Sequence, residues 1–358
     1  MRMALPIRPA GRGTGRPNLE QVAAVAGVSR ATVSRVVNRV PSVDPDTRAR
    51  VEKAIDEMGY VPNHAARSLV THRTDTIALV AAEPDPRVFG DPFFSAIIRG
   101  VSQELMDAGL QTTLLMAQSY PDLDRIQRYL RTAPLDGVLL ISEHADHDPI
   151  PAAMAAAGVP LVIGGRPVQT DIEVPYVDND NVGGARLAAE HLVARGCRRI
   201  ATVAGPEDMS AATDRLDGFR AALGDAFDPA LVEHGDFTQT GGESATEQLL
   251  ERSADIDGLF AASDLMAFGA LRALRRAGRR VPDDVAVVGF DDIPLAAAAE
   301  PPLTTIRQQT VRQGRAMARL LLSIARPDLA VATGDGIPDV NGVDRIVLPV
   351  ELVVRESA

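Results

Sequence analysis

Arg30, Ala31, Ser34, Arg35 and Asn38 carry the most legible chemistry in this chain. At about 100° per residue they fall within one arc of roughly 140°. Thr32, Val33, Val36 and Val37 fill the opposite side of the same helical wheel. The polar arc offers two guanidiniums, a hydroxyl, an amide and a methyl. A guanidinium can grip guanine through two hydrogen bonds, small polar groups hold phosphate oxygens, and a methyl can touch thymine. An ordinary helical hairpin with a solvated face would segregate in the same way, so the flanking sequence has to decide between the two.

The elements that must position these residues read as two short helices and a tight turn. Asn18 can cap the first helix, and Gln21 three residues on completes a capping box. Val22, Ala23 and Ala26 share one face of it. Gly27 stops the helix because it tolerates the left-handed conformation of a sharp exit, and Ser29 caps the next one. A third helix follows, with Asp44 as its cap, Pro45 in its first turn, and Val51, Ala54, Ile55 and Met58 as its apolar stripe. Beyond Gly59, Pro62 pushes Val61 out of helical geometry. Asn63 can then start a helix of only about two turns, too short to persist alone in water. Leu69 ends that element with no core of its own, and could serve as a wedge between base steps in a minor groove.

Charge is segregated along the chain. Residues 1–75 carry a net +5 and the remainder −16, within a total of −11 over 358 residues. A basic head on an acidic body implies that only the head meets a polyanion. Cys197 is the only cysteine, which excludes an intrachain disulfide and implies a reducing compartment. No stretch is long and apolar enough to span a membrane. The first 17 residues hold arginines but no apolar core of signal-peptide length, and read as a disordered basic tail of a cytoplasmic protein.

The body alternates strand-like and helical runs. Thr76–Val80, Leu135–Ile141, Pro160–Ile163, Arg199–Val203, Gly258–Ala261 and Asp284–Gly289 are β-rich. Phe94–Ala108, Val182–Arg195, Asp214–Leu223 and Asp264–Ala277 are helical in pattern. Such alternation implies doubly wound parallel sheets, and the length calls for two of them. Ligands in open α/β sheets bind at the carboxyl ends of strands. Asp291, after the apolar run Val285–Phe290, belongs there, and a carboxylate at that point can accept hydroxyl hydrogen bonds. Asp264 lies at another strand end, although it could equally cap its own helix. Phe93 and Phe94 could stack on an apolar ligand face, one of them being core.

The run AAVAGVSRATVSRVVN and the ARSL segment Ala66–Leu69 resemble the LacI/GalR family of bacterial transcriptional regulators. The resemblance continues through DPFF (Asp91–Phe94), VDNDNVGGARLAAEHL (Val177–Leu192), RLDGFRAAL (Arg215–Leu223), VPDDVAVVGFDDIPLA (Val281–Ala296) and LPVELVVRES (Leu348–Ser357). It implies an all-α helix-turn-helix head on a two-lobed, type I periplasmic-binding-protein-like core of α/β class. The expected divisions are a head at 18–62, a hinge helix and linker at 63–75, a first lobe at 76–176 and 307–341, and a second at 177–306 and 342–358. The stretch 326–342 reads as a long loop.

The resemblance also assigns roles. Arg30, Ala31 and Arg35 should read base edges, while Ser29, Thr32, Ser34 and Asn38 hold phosphates or position the helix. Ala66, Arg67 and Leu69 should line the hinge, with Leu69 prying open the operator's central step. Arg215 matches an effector-binding arginine. Ser263 stands where sugar-binding members often have Asn, and Gly165 where some place an acidic contact. Both shorten a side chain and leave room for a larger or differently substituted ligand. The implied protein is a repressor that binds palindromic operator DNA as a homodimer and is switched by a small-molecule effector, a carbohydrate by preference, without cofactor or metal.

Other signals carry less. His144 and His147 have metal-like spacing but no second cluster, and read as a solvated loop. Asp291 and Asp292, adjacent after a strand, should point apart rather than act as an acid–base pair. Gly164–Gly165 and Gly241–Gly242 lack dinucleotide-loop spacing. A solute-binding protein of a transport system would share the lobes but not the helical head. A sugar-processing enzyme would need a catalytic constellation, and none is legible.

Overall fold

The computed structural model describes residues 17–37, 42–60, 73–142, 144, 148–168, 173–329, 336–340 and 342–358. The chain divides into a head ending at Thr74 and a core beginning at Asp75.

In the head, local chemistry sets the helices α1 (Leu19–Ala26), α2 (Arg30–Val37) and α3 (Pro45–Met58). The capping box forms as expected: the Gln21 backbone N–H donates to Asn18 Oδ1 at 2.9 Å, and the Asn18 N–H donates to Gln21 Oε1 at 3.0 Å. Gly27 ends α1 in the left-handed region at φ 66°. The Thr32 N–H donates to Ser29 Oγ at 3.1 Å, and the Thr47 N–H to Asp44 Oδ2 at 3.0 Å. Val22, Ala23 and Ala26 of α1, Val33 and Val36 of α2, Val51 and Ala54 of α3, and Tyr60 make one small core. Ile55 and Met58 only flank it. Asn38, Ala66, Arg67 and Leu69 lie outside the described residues.

The core contains two sheets of six strands. The first comprises β1 (Thr76–Ala81), β2 (Gln111–Met116), β3 (Gly137–Ile141), β4 (Leu161–Gly164), β5 (Tyr176–Asn179) and β11 (Arg345–Leu348), in the order β11-β5-β4-β3-β1-β2 and all parallel. The second comprises β6 (Ile200–Ala204), β7 (Val232–His234), β8 (Gly258–Ala261), β9 (Ala286–Asp291), β10 (Thr304–Arg307) and β12 (Glu351–Val353). Its order is β12-β10-β9-β8-β6-β7, with only the edge strand β12 antiparallel. Each sheet carries apolar clusters on both faces, as parallel sheets buried by helices require.

The helices of the first lobe are α4 (Asp85–Gly90), α5 (Pro92–Asp107), α6 (Tyr120–Thr132), α7 (Ile150–Ala157) and α12 (Thr310–Ala325). Those of the second are α8 (Asn181–Ala194), α9 (Ser210–Leu223), α10 (Gln239–Arg252) and α11 (Asp264–Arg276). Helices α5 and α12 approach so closely that a Cβ on Gly100 would sit 2.1 Å from the Val311 carbonyl oxygen, and one on Gly314 2.4 Å from that of Ile97. Only glycine fits either place. Beside this contact Arg319 Nε reaches Glu104 Oε1 at 2.7 Å and Arg315 Nε reaches Glu104 Oε2 at 3.0 Å. The ion pairs offset the burial of the charges they contain.

Hydrogen bonding moves two of the expected divisions. Val177, Asp178 and Asn179 pair with Ile346–Leu348 inside the first sheet. The chain therefore crosses to the second lobe after Asn179, not at 177, and makes its last crossing between Leu348 and Glu351, not at 342. Sequence hydropathy cannot separate these edges, because β5 and β11 are short and end at the crossings. The described residues of the stretch 326–342 form no helix or strand, as expected of a loop, but they are anchored: Ile337 and Val340 pack into the first lobe's core, and Arg326 Nη1 donates to Asp75 and Asp136 at 2.8 and 2.9 Å.

Amides tie the three crossings together. Asn179 Nδ2 donates to Gln313 Oε1 at 2.8 Å, Gln313 Nε2 donates to the Val177 carbonyl at 3.0 Å, and the Gln309 N–H donates to Asn179 Oδ1 at 3.1 Å. Gln309 Nε2 reaches the Pro349 carbonyl at 3.2 Å.

Candidate functional site

Two surfaces gather the residues singled out by the sequence. On α2 and its cap, Ser29, Arg30, Ala31 and Arg35 are exposed, while Thr32 and Ser34 are half-buried. Val33 and Val36 anchor the opposite face in the head's core. Ser29 and Thr32 also share a 2.9 Å hydroxyl contact, so both help fix the start of the helix. Arg30 lies 3.7 Å from Glu20, an exposed contact worth little in water.

The second surface is a cleft between the lobes, enclosing about 710 Å³ including its open mouth. That is the scale of a small-molecule site. The first lobe contributes Arg87, Asp91, Phe93, Ser142, Gly165, Arg166, Asp178, Asn179 and Gln313. The second contributes Asn181, Met209, Ser210, Arg215, Phe237, Ser263 and Asp291, with Gln308 from the connection between them. The carboxyl ends of both parallel sheets thus meet, as open α/β sheets place their ligands.

Arg215 forms the floor and is only 5% exposed. Its Nε donates to Asn181 Oδ1 at 2.9 Å and its Nη1 to the Ala262 carbonyl at 2.5 Å. Asp291 Oδ1 lies 3.7 Å from Nη1, and the guanidinium carbon stands 3.7 Å from the centre of the Phe290 ring. The ring face attracts the cation. Nη2 has no hydrogen-bond partner among the described residues, which leaves its N–H donors unused. Burial lowers the Arg215 pKa, and Asp291, Asp178, Asp264 and Asp91 oppose that shift.

Asp291 is held at φ 122° and Asp292 at φ 55°, both in a region L-residues avoid. Backbone strain of this kind concentrates where a site needs it. Its effect here is to send the two carboxylates apart. Asp291 turns to the cleft and accepts from Gln308 Nε2 at 2.6 Å. Asp292 turns away to Arg307 and Arg355, each at 2.6 Å. Burial raises the Asp291 pKa well above its ordinary value, and Arg215 holds it back. Burial also raises Asp91, and lifts Asp178 to about 6. The site therefore combines several carboxyl groups reluctant to ionise with amides and one buried guanidinium, a set suited to hydroxyl groups.

The structure brings Arg215, Asp291, Ser263 and Phe93 together and leaves two expected contacts out. Asp264 is fully buried beneath the lining. Its Oδ1 accepts from Thr305 Oγ1 at 2.5 Å and its Oδ2 from the Ile293 N–H at 2.8 Å, so it anchors the loop after β9. Burial raises it to about 7. Ser263, not Asp264, caps α11. Phe94 is core at 0% exposed, edge-on to Phe93 with ring centres 5.3 Å apart.

His144 is also not a solvated loop residue. Its Nδ1 lies 2.6 Å from Asp208 and its Nε2 3.3 Å from Glu83. The sequence reading missed Arg87, Asp91, Arg166, Asp178, Asn179, Asn181, Phe237, Gln308 and Gln313 as lining. Asp91 had a local signal, because Asp followed by Pro92 is a helix-start pattern: it caps α5 directly after α4, and the Phe93 N–H donates to its Oδ1 at 2.9 Å. Asn179 and Gln313 meet across 134 residues, a separation that no local pattern encodes.

A basic helix-turn-helix head and a two-lobed ligand-binding core together define a regulator that couples DNA to a small molecule. Residues 18–63 match the family model for bacterial regulatory proteins of the lacI family, and residues 189–358 that for a periplasmic binding protein-like domain. The chain is 50% identical over 346 residues to the HTH-type transcriptional regulator CelR of Thermobifida fusca, covering 96% of this chain and 98% of that one. It therefore belongs to the LacI family of transcriptional regulators. A solved "transcriptional regulator CelR-cellobiose complex" aligns with a TM-score of 0.73 at 48% identity, over 96% of this chain and 100% of that one. The lac repressor dimer bound to operator and the anti-inducer ONPF aligns with a TM-score of 0.80 at 29% identity, over 96% and 99%. These relatives are regulators, not enzymes, and the reading as a sugar-processing enzyme falls with that. Among the described residues no helix is long and apolar enough to cross a membrane.

Proposed function

We propose that this chain is a repressor that binds an inverted-repeat operator as a homodimer and is switched by a neutral disaccharide of the cellobiose class in the inter-lobe cleft. One recognition helix reads too few bases alone, so a pair of heads must read two half-sites. In this reading Arg30, Ala31 and Arg35 contact base edges, and Ser29, Thr32 and Ser34 position the helix on phosphates. Asn38, Ala66, Arg67 and Leu69 extend the same interface and the hinge. Arg215, Asp291, Ser263 and Phe93 contact the effector.

The observation that carries the sugar reading is the floor of the cleft. Arg215 lines the cleft with Nη2 unpaired among the described residues, Asp291 is buried beside it, and Asp91, Asp178 and Asn179 line the cleft from the other lobe. Such a set accepts and donates to hydroxyl groups at once. A phosphate or carboxylate fits it less well, because the lining guanidiniums are already engaged: Arg87 by Glu83, Arg166 by Asp214, and Arg215 by Asn181 and the Ala262 carbonyl. Phe93 and Phe237 supply apolar faces for a pyranose ring. Gly165 and Ser263, short where bulkier polar residues are found in other members, favour two sugar units over one. The solved complex of the CelR regulator with cellobiose supports the same choice.

The test is a calorimetric titration of the purified chain with cellobiose, glucose and glucose 6-phosphate. Cellobiose should bind, and raise the melting temperature with the logarithm of its excess. Glucose should bind more weakly and the phosphate not at all. Preference for the phosphorylated sugar would overturn the reading. A solute-binding role for the core alone is disfavoured by the lacI-type head attached to it.

A further inference from the structure

A second set of polar contacts crosses the cleft. At the end of β4, Arg166 grips Asp214 of α9 with two hydrogen bonds: Nε to Oδ2 at 3.0 Å and Nη2 to Oδ1 at 2.7 Å. After β3, His144 meets Asp208, just ahead of α9, at 2.6 Å. Both partners lie within residues 208–214 of the second lobe, and both donors on loops at the carboxyl edge of the first sheet. The residue after Asp214 is Arg215, the floor of the cleft.

These pairs are not what folds either lobe. Each lobe has its own buried clusters on both sheet faces. The Arg166 side chain is 41% exposed and that of Asp214 16%, so water reaches the pair and it can open and re-form. A planar two-bond grip nevertheless fixes direction as well as distance. Asp214 does not line the cleft, whereas Arg166 does. The carboxylate therefore acts on a ligand only through the arginine or through its neighbour Arg215.

We propose that Arg166–Asp214, seconded by His144–Asp208, is a closure latch that positions Arg215, so that effector binding and latching of the lobes are one event. Arg166 and Asp214 are positioning residues in this account, which rests on the effector reading of the same cleft. Closing the lobes brings the loops after β3 and β4 onto the start of α9. The latch then holds the helix that carries Arg215 at the depth where Nη2 meets the ligand.

Calorimetric titration with cellobiose on the intact chain and on Arg166→Ala, Asp214→Ala and the double variant tests this. Each single change should weaken binding by about three- to tenfold, the range of a partly exposed bidentate pair. The double variant should bind no more weakly than either single one. Raising salt from about 0.05 M to 0.5 M should weaken the intact chain and leave the double variant unmoved, because a pair open to water is screened. Wild-type affinity in Asp214→Ala, or losses that simply add, would overturn the latch and leave Arg166 as an independent ligand contact. Asp214→Asn keeps the shape and serves if the alanine variant fails to fold; it should show the same loss. If the intact chain binds no cellobiose, the effector reading fails, and the latch is judged by small-angle X-ray scattering without ligand. The double variant should then have a larger radius of gyration than the intact chain at low salt, and an unchanged radius would overturn the latch.

Discussion

In the head, the directions of Ser29 through Arg35 follow from one eight-residue helix whose other face is pinned by Val33 and Val36. In the cleft, the direction of Arg215 depends on Asn181, Ala262 and Asp291, which arrive from three separate segments. The difference separates two kinds of functional surface. The helix face is presented to solvent and can change one residue at a time without disturbing its support. The cleft floor is a buried network in which support and function are the same contacts, so its members should fail together.

The sharpest way to break that comparison is Arg215→Ala. It leaves Asp291 buried without its cation and removes donors from Asn181 and the Ala262 carbonyl. Truncating one partner of such a pair costs about 3–5 kcal/mol. Denaturant unfolding of the core should register that loss together with loss of effector binding, and Arg215→Lys should rescue neither, because one ammonium cannot span the same partners. Next in size is Arg35→Ala, which should weaken operator binding by about 1–3 kcal/mol, measured by fluorescence anisotropy, while leaving effector affinity and core stability unmoved. If instead Arg35→Ala unfolded the head, or Arg215→Ala left the core intact, the contrast would be false.

A smaller effect should follow Asn18→Ala. It removes one half of the capping box and should lower the head's stability by about 1 kcal/mol, seen as earlier loss of helical circular dichroism in the head with the core transition in place. The smallest is a pH effect on the latch. Hydrogen bonding to Glu83 first, and to Asp208 after it, raises His144 to about 9 against the opposing effect of burial. Glu83, Asp208 and Asp148 face the ring, with Arg87 beyond Glu83 at 3.1 Å. A raised pKa means the charged ring contributes fully below its ordinary value of 6.5 and that the contribution fades as pH rises through about 9. Cellobiose affinity should therefore decline between about pH 7 and 10 in the intact chain, and His144→Gln should flatten the decline.

The same contrast explains what could be read before the structure. The capping box at Asn18 and Gln21, the turn at Gly27 and the buried stripe of Val22, Ala23 and Ala26 all act within a few residues, and the sequence states them outright. The strand–helix alternation of the core was legible for the same reason. The edges β5 and β11 were not, because a four-residue strand beside a crossing has no pattern of its own. Asp291 was legible as the end of an apolar strand, and Asp264 by the same rule was misjudged. Position at a strand end does not say whether a carboxylate faces the ligand or, like Asp264, turns down to Thr305 and Ile293. Arg166 and Asp214 are 48 residues apart and His144 and Asp208 are 64 apart. Histidine among acids, read locally, looks like a wet loop; only the fold brings the second lobe to it.

The central claim is that the head's grip on DNA and the cleft's grip on a sugar are coupled. It is tested most directly by titrating the intact chain into an inverted-repeat duplex selected from a random pool, and into a scrambled duplex of the same composition, with and without cellobiose. The account predicts at least about a thousandfold preference for the selected duplex and a shift of about 5- to 150-fold in that affinity on adding cellobiose. Equal affinity for both duplexes, or an operator affinity indifferent to cellobiose under conditions where the sugar is bound, would contradict it.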